Sequence, residues 1–573
     1  MIMFKTLATL FILGSVTALA QDTDSTSTND LQEEIKIFKN YIPEISRVNK
    51  KNQQPLFLDS VYIKENLKYQ VKKMILKVDE NNHPLSAVDY KKPFENTFNS
   101  YLLLGYSTDK RPLAELSLSN RISDKSKYGL FLRHYSENRE DDKLFYSDRN
   151  EQKAMAYFDF MDNGMTFKSN LRYERIQVNS DQKEYDYNPL IGGTSITLEN
   201  EERLHQIISG DFAFEQNDEQ KLVQGLNFNI KHGFNNNDAS ETYIDFGSRW
   251  NVSLGEHKII TNLDFITADH ETKVSNRDAR LSHFQFDPTF YGVEGNLSFQ
   301  IGINSYFLIH EMNHSTFDLF TGVKRSDEDF LIFPKIHLSY AMPEETNVFI
   351  GYKGEYGINS YVDALKFSPF ITHSIVNLPI PNSTIAPVNI YAGINTKTIH
   401  NLDLNLMVSY KEYDRFQNFQ ASFGDINNDF PLYLYPRTFD LNQLSIEVNG
   451  KYRFDKQTLL SSNLQYNNYG DHPSYIKLAH LPEFQFSLAA EHSINEKLKA
   501  FGEVDFSSSQ YTMDVINEKM DAYSNLNLGV SYDLNDRLNT GLQIRNILDN
   551  QVETKEGYIT NGFNVFLSAR YKF

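Results

Sequence analysis

The chain contains no cysteine. That absence removes disulfide scaffolds, cysteine-ligated zinc or iron–sulfur sites, thiol nucleophiles and lipid attachment through an N-terminal cysteine. Basic residues are in deficit, because 56 Lys and Arg stand against 75 Asp and Glu and give a formal net charge of -19. This charge has the wrong sign for a protein that binds a phosphate backbone, so no nucleic-acid partner is expected.

After residue 20 the sequence also lacks an apolar run of about 18 residues that could form a membrane-spanning helix. Only 40% of the 573 residues are hydrophobic and 23% are charged, which excludes a bundle of such helices. Tryptophan occurs once, at Trp250, yet 42 Phe and 34 Tyr raise the aromatic share to 13%. An aromatic load of this size in a hydrophilic chain requires a physical explanation.

The first residues have the form of a secretory signal peptide. Lys5 precedes an apolar stretch from Leu7 to Val16, and Ala18-Leu19-Ala20 supplies an A-x-A cleavage site. Cleavage there leaves Gln21 first, so the lipoprotein route is closed. The sequence predicts export to the periplasm, to the medium, or into an outer membrane as a β-barrel, which is the non-helical way to satisfy backbone groups in lipid.

The texture of the chain changes near Ser100. Residues 21–98 are charged and irregular, and they predict a periplasmic extension that is partly disordered at its start. From residue 99 to the end, segments of about ten residues alternate strictly between apolar and polar side chains, as tilted membrane-spanning strands do. The predicted order is therefore a signal peptide at 1–20, the extension at 21–98 and an antiparallel β-barrel at 99–573.

The alternation is clearest where Leu526, Leu528, Val530, Tyr532 and Leu534 interleave with polar or small residues. Other segments with this pattern are Leu113 to Ile122, Tyr128 to Tyr135, Phe167 to Ile176, Leu222 to Ile230, Thr242 to Leu254, Lys258 to Ile266, Val348 to Tyr356, Pro387 to Ile394, Leu402 to Tyr410, Leu444 to Phe454, Phe484 to Ile494 and Leu498 to Phe506. The fold class is all-β.

The connections fall into two length classes. Short turns are predicted at 454–457, 495–497 and 533–537, and long polar links at 179–203, 416–438 and 507–522. A membrane barrel has short turns at its periplasmic end and long loops outside. An array of β-sandwiches is the alternative, but sandwich loops show no such two-class pattern.

The C-terminal segment carries a candidate assembly signal. Leu567, Ala569, Tyr571 and Phe573 lie on one apolar face, and the last residue is aromatic. A terminal strand that ends in Phe resembles the signal by which the β-barrel assembly machinery recognises outer-membrane barrels. Tyrosines near strand ends, such as Tyr452 and Tyr532, suit the aromatic girdles at the membrane interfaces and account for part of the aromatic load.

Residues 526–573 also resemble the last strands of TonB-dependent receptors. The segment contains an Asn-Leu-φ-Asp-like element at Asn546-Ile547-Leu548-Asp549-Asn550 and ends in Tyr571-Lys572-Phe573. Weaker similarity extends to Pro334–Tyr340, Ile358–Ala364 and Val388–Ile394, in the manner of receptor-like barrels of Bacteroidota. The resemblance implies a barrel of about 22 strands.

The chain departs from that family at its N-terminal end. Residues 21–98 show neither the Gly-rich β pattern of a plug domain nor a TonB box. We therefore expect a barrel without the usual plug. Its lumen would be filled by the N-terminal segment, by long loops that fold inward, or by a partner chain.

His310-Glu311-Met312-Asn313-His314 matches the H-E-x-x-H zinc motif, in which a helix brings both histidines to one metal. The flanking residues are strand-like, and in a strand residues four apart are separated by about 13 Å. Such histidines cannot share an ion with bonds of about 2 Å. We interpret this segment as a polar strand end or loop.

Acidic segments raise the question of calcium. Asp425 to Asp429 begins like a calcium loop, but Phe430 and Pro436 replace the required Gly and Glu, so an EF-hand is excluded. This segment, Ser326–Asp329 and Glu137–Asp142 are interpreted as solvated loops, with a weak calcium or lipopolysaccharide-bridging site as the alternative.

We predict no enzyme, no catalytic residues, no cofactor and no metal site. The first functional hypothesis is transport or a channel through the outer membrane. The second is a non-transporting subunit of a machine for barrel assembly, protein export or surface-lipoprotein handling. Expected partners are outer-membrane lipid, lipopolysaccharide, the barrel assembly machinery during insertion, and periplasmic or surface lipoproteins.

Overall fold

The computed structural model describes residues 100–138, 146–180, 184–186, 195–197, 202–236, 239–272, 277–313, 327–343, 345–367, 382–397, 401–422, 433–470, 478–511, 519–550, 553–555, 558–559 and 562–573. The predicted signal peptide, the N-terminal extension and Asp425–Asp429 lie outside these residues. No helix among the described residues is long and apolar enough to cross a membrane.

One antiparallel sheet of 22 strands closes on itself, as predicted. Each barrel strand pairs with the next one in the chain, and the first pairs with the last from Tyr101↔Lys572 to Ser107↔Phe566. The barrel strands are β1 (Tyr101–Ser107), β2 (Arg111–Ser123), β3 (Ser126–Asn138), β4 (Tyr146–Asp162), β5 (Met165–Ser180), β8 (Glu202–Gln216), β9 (Val223–Asn235), β10 (Ala239–Leu254), β11 (His257–Thr272), β12 (Arg277–Glu294), β13 (Leu297–Asn313), β14 (Asp327–Met342), β15 (Thr346–Asn359), β16 (Asn382–Thr396), β17 (Leu402–Ser422), β18 (Tyr433–Arg453), β19 (Thr458–Gly470), β20 (Phe484–Ser493), β21 (Leu498–Ser507), β24 (Tyr523–Asp533), β25 (Leu538–Arg545) and β28 (Asn564–Lys572).

The remaining elements belong to the connections. Two-stranded ribbons are formed by β6 (Glu184–Asp186) with β7 (Ser195–Thr197), β22 (Gln510–Tyr511) with β23 (Lys519–Met520), and β26 (Glu553–Lys555) with β27 (Tyr558–Ile559). A short helix, α1 (Tyr361–Phe367), follows β15.

The alternation of side chains sets the two faces of the wall. On β28, Leu567 and Tyr571 are 59% and 43% exposed, whereas Phe566 and Arg570 are buried. The exposed face is the apolar one, which is the reverse of a soluble sheet and the arrangement of a wall that faces lipid. The strands predicted from period-two alternation are confirmed throughout the described chain.

Many strands are longer than the predicted span of about ten residues, and β17 and β18 are the longest among the described residues. β17 and β18 each contain 21 residues. Their outward apolar positions end near Tyr410 and Leu444, so the remaining residues project beyond the apolar band. The prediction of a long polar link at 416–438 was wrong, because residues 416–422 continue β17 and residues 433–438 belong to β18.

The short turns are closed by side chains that accept backbone hydrogen bonds. Asn495 Oδ1 accepts from the amides of Lys497 and Leu498, both at 2.9 Å, and Asn535 does the same one hairpin later. Asp455 repeats the arrangement, and the amide of Gln457 lowers the pKa of its carboxyl group. Because short turns mark the periplasmic end of such barrels, the opposite end is extracellular.

Two acidic segments interpreted as loops are partly strand. Glu137 lies in β3 and is buried beside Arg111, at 3.4 Å. Asp327–Asp329 begins β14, whereas Ser326 and residues 139–142 lie outside the described residues.

Candidate functional site

The inner wall of the barrel carries rows of polar side chains joined from strand to strand. The carboxylate of Asp287 on β12 accepts from Lys335 Nζ on β14 at 3.1 Å and from the side-chain amide of Asn262 on β11 at 3.2 Å. Gln443 on β18 likewise donates to Asn467 on the neighbouring strand β19, at 3.0 Å. Water or a polar solute can be accommodated against such a surface.

Glu355 is the centre of an ionic group on this wall. Its carboxylate lies 2.7 Å from Lys353 Nζ on the same strand and 3.2 Å from Lys411 Nζ on β17. Asn389 on β16 donates to it at 3.3 Å. The group ties together three neighbouring strands at one level of the lumen.

Above that level the outer ends of β15 and β16 leave the wall. β14 pairs with β15 only from Met342↔Thr346 to Lys335↔Lys353. Beyond Lys353, β15 remains paired with β16, from Glu355↔Ala386 to Asn359↔Asn382. We call Glu355–Phe367 together with Asn382–Ala386 the inward hairpin, because its contacts are with the inner wall.

A bulge and a proline mark the base of the inward hairpin. The register of β15 on β16 shifts between Lys353 and Glu355, and the side chain of Phe333 occupies the space beside Gly354. A Cβ at Gly354 would lie 2.3 Å from Phe333 Cγ, so glycine permits the close approach. Pro387, at the same level of β16, has no amide hydrogen to donate to a neighbour.

The underside of the inward hairpin is apolar. Tyr356 and Ile358 pack on inward-facing residues of β11 to β14. The buried partners are Ala268, Leu281, Tyr306, Leu308 and Phe333. His283 also lies against this cluster, with its ring edge-on to Tyr356 at 5.0 Å between centroids.

Helix α1 docks on the wall through its first turn. Ser360 caps the helix, since its Oγ accepts from the amide of Asp363 at 3.0 Å. The buried carboxylate of Glu241 on β10 accepts from the amides of Tyr361, at 2.7 Å, and Val362, at 3.1 Å. A carboxylate at a helix N-terminus satisfies amides that have no partner within the helix.

Tyr361 completes the docking. Its hydroxyl shares a hydrogen bond with His205 Nδ1 at 2.9 Å and accepts one from Asn235 at 3.3 Å. The ring packs edge-on to His270 at 5.7 Å. Burial raises the pKa of Tyr361, so its hydroxyl stays protonated. Lys231 and Asp363 add an ion pair at 3.7 Å.

A second segment, Leu478–Leu481, also packs on the inner wall. Asn418 on β17 both donates to Ala479 O and accepts from Ala479 N, each at 3.0 Å. Leu478 joins an apolar cluster with Tyr413 and Phe439. Two parts of the chain therefore occupy the extracellular half of the lumen.

The described part of the segment that matches H-E-x-x-H is strand, not helix. His310 to Asn313 are the last residues of strand β13, as interpreted, and His314 lies outside the described residues. Among the residues that the structure describes, no group of His, Asp and Glu could hold a metal ion.

The four residues of the predicted assembly signal all face outward. Leu567, Tyr571 and Phe573 are 59%, 43% and 46% exposed, and Ala569 continues the same face. The backbone amide of Phe573 donates to Ser100 O at 3.0 Å and so extends the pairing of the first and last strands.

Sequence reasoning missed the docking residues Glu241, Tyr361 and Gly354. Of these three residues, Tyr361 lies in a segment that had a sequence signal, and that signal was family similarity, not docking. Ile358–Ala364, noted for its similarity to receptor-like barrels, is the segment that enters the lumen and docks.

No protein-family model matches the chain, and no curated protein matches it. Solved structures do share the fold. The siderophore receptor PiuA from Acinetobacter baumannii is 11% identical with a TM-score of 0.60, covering 83% of this chain and 82% of its own. The FrpB iron transporter from Neisseria meningitidis is 10% identical with a TM-score of 0.60 and the same coverage.

The copper transporter OprC is similar to a comparable degree, with 8% identity, a TM-score of 0.61, and coverage of 83% and 80%. At such identities the likeness shows the fold alone. The chain thus has the fold of the 22-strand outer-membrane receptors and transporters, in agreement with its resemblance to TonB-dependent receptors.

Proposed function

We propose that the protein transports a solute across the outer membrane through the lumen of its barrel. The observation that carries this proposal is the closed 22-strand wall, apolar outside and polar inside. The shared fold supports it, because solved proteins of this architecture include receptors and transporters for siderophores, iron and copper.

The lumen, in this proposal, is narrowed by the chain itself rather than by a plug of the usual kind. The support is the inward hairpin and the segment Leu478–Leu481, which both pack on the inner wall. This is the second of the three ways of filling the lumen that the sequence left open.

Planar-bilayer conductance and proteoliposome uptake of small hydrophilic solutes test the proposal with the purified full chain. We expect conductance or uptake above that of protein-free membranes. Uptake by cells that stops when the inner membrane is depolarised would indicate an energised receptor, and uptake that continues would indicate a channel. A barrel silent in both assays that co-purifies with stoichiometric lipoprotein partners would replace transport with the accessory role.

A further inference from the structure

We propose that the inward hairpin is a hinged lid over the extracellular half of the lumen, held closed by Glu241 acting as a latch on helix α1. The purpose of such a lid rests on the proposed transport function. The lid itself rests on pairing, packing and hydrogen bonds, and it is tested separately below.

The inward hairpin can move without opening the barrel. Among the described residues, its strand Glu355–Asn359 pairs with β16 and not with β14. On the other side, one register pair, Ile385↔Arg415, links it to β17 above Val388↔Glu412. Two side-chain contacts add to this link, Lys411 Nζ with Glu355 at 3.2 Å and Arg415 with Ser383 Oγ at 3.4 Å. The periplasmic halves of β14 to β17 remain fully paired below this level. Swinging the hairpin outward therefore costs its docking contacts and little of the wall.

A hinge lies at the base of the inward hairpin. Both strands of the hairpin break their regular pairing at one level, β15 at the bulge beside Gly354 and β16 at Pro387. Side chains from neighbouring strands steady this level, since Asn304 donates to Gly354 O at 3.1 Å and Tyr352 donates to Pro387 O at 3.2 Å. A bend confined to a few residues at the ends of regular elements is the usual form of a hinge.

Glu241 is the latch that holds the inward hairpin against the wall. Glu241 comes from β10, and four strands separate β10 from β15 along the wall. Its carboxyl group accepts from the amides of Tyr361 and Val362, a contact that exists only when the hairpin is folded inward. The two hydrogen bonds fix where α1 docks, yet two such bonds break more readily than a strand ladder. The docking is therefore specific and reversible.

A disulfide lock tests whether the lid must move. A Cβ at Gly233 on β9 would lie 2.6 Å from Val362 Cγ2, so the two Cβ atoms would fall within reach of a disulfide, about 3.5–4.5 Å. The cysteine-free chain makes the double variant Gly233→Cys/Val362→Cys free of competing thiols. We expect oxidation to reduce conductance or uptake about tenfold and reductant to restore it, with each single variant insensitive to both. In a barrel whose reduced form transports, equal activity of the oxidised form would overturn the lid.

A second measurement tests the lid without any transport assay. The variant Val362→Cys is reacted with a bulky maleimide in lipid vesicles, because the buried side chain becomes accessible only when the hairpin undocks. Adding Glu241→Gln leaves one acceptor oxygen for the two amides of α1 and should raise the labelling rate about tenfold. Glu294→Gln, an exposed carboxyl at the end of β12, is the control and should leave the rate unchanged.

The two measurements separate the two proposals. A barrel that carries no solute in any form but labels faster with Glu241→Gln retains the lid and loses the transport function. Conductance that is indifferent to the lock, together with equal labelling rates for Glu241→Gln and its parent, leaves transport standing and overturns the lid.

Discussion

Asn546 and Asn550 are joined by two hydrogen bonds, since Asn546 Oδ1 accepts from the Asn550 amide at 3.2 Å and Asn546 Nδ2 donates to Asn550 O at 3.0 Å. The amide of Asn546 in turn donates to Asn527 Oδ1 at 3.0 Å on the preceding strand. The receptor-like element at 546–550 is thus a turn that closes the extracellular end of β25. The sequence element shared with TonB-dependent receptors therefore corresponds to a hydrogen-bonded turn in this structure.

Replacing Asn546 with alanine should destabilise the barrel. The residue has a φ of 47°, a left-handed conformation that asparagine tolerates better than alanine. The change also removes both side-chain hydrogen bonds, so we expect a loss of about 2–3 kcal/mol. Urea midpoints of refolded protein in detergent measure the loss. Leu548→Ala in the same turn is the control, because its side chain is 47% exposed, and equal midpoints for the two variants would refute the role of Asn546.

Changing the terminal residue should impair assembly. Phe573 extends the apolar outer face of β28 and stacks on Tyr571, with ring centroids 6.1 Å apart. We expect Phe573→Asp, or deletion of the residue, to reduce the heat-modifiable barrel in outer-membrane fractions. Phe563→Asp is the matched control, since Phe563 is an exposed aromatic just before the opposite end of the same strand. Normal barrel levels with Phe573→Asp would argue against an assembly signal at this end.

How far the sequence predicts this fold depends on whether both faces of a strand differ in chemistry. Leu526 to Leu534 predicted β24 within a few residues, because lipid on one side and a polar lumen on the other impose strict alternation. The predicted polar link covers residues 416–422, which continue β17, since they lie beyond the apolar band and their alternation is weak.

The inward hairpin was beyond sequence reasoning for a different reason. Its docking depends on Glu241 meeting the amide of Tyr361, and 120 positions separate these residues in the chain. No local pattern records a contact at that distance. Aromatic side chains that face the lumen, such as Tyr306 and Phe333, were not predicted either. In the sequence they cannot be told from the aromatic residues of the membrane girdles.

The two faces of β28 should respond oppositely to charge. Leu567 is 59% exposed on the outer face near the middle of the strand, and Ser568 is the next residue, on the inner face. We expect Leu567→Arg to cost about 2–4 kcal/mol, the range for arginine facing lipid at the bilayer midplane, and Ser568→Arg to cost far less. Folding titrations into lipid vesicles compare them. A larger cost for the Ser568 variant would reverse the assignment of the faces.

Gly529 and Phe501 should be coupled, because they are direct partners across β24 and β21 and the phenyl ring lies over the glycine. A Cβ at Gly529 would meet Phe501 Cζ at 2.1 Å, so Gly529→Ala must displace the ring. We expect this variant to lose about 1–3 kcal/mol by overpacking. Phe501→Leu shortens the side chain, and the double variant should therefore be less destabilised than the sum of the two single changes. A double-mutant cycle of urea midpoints measures the coupling. Strict additivity of the two single changes would show that the ring of Phe501 does not rest on Gly529.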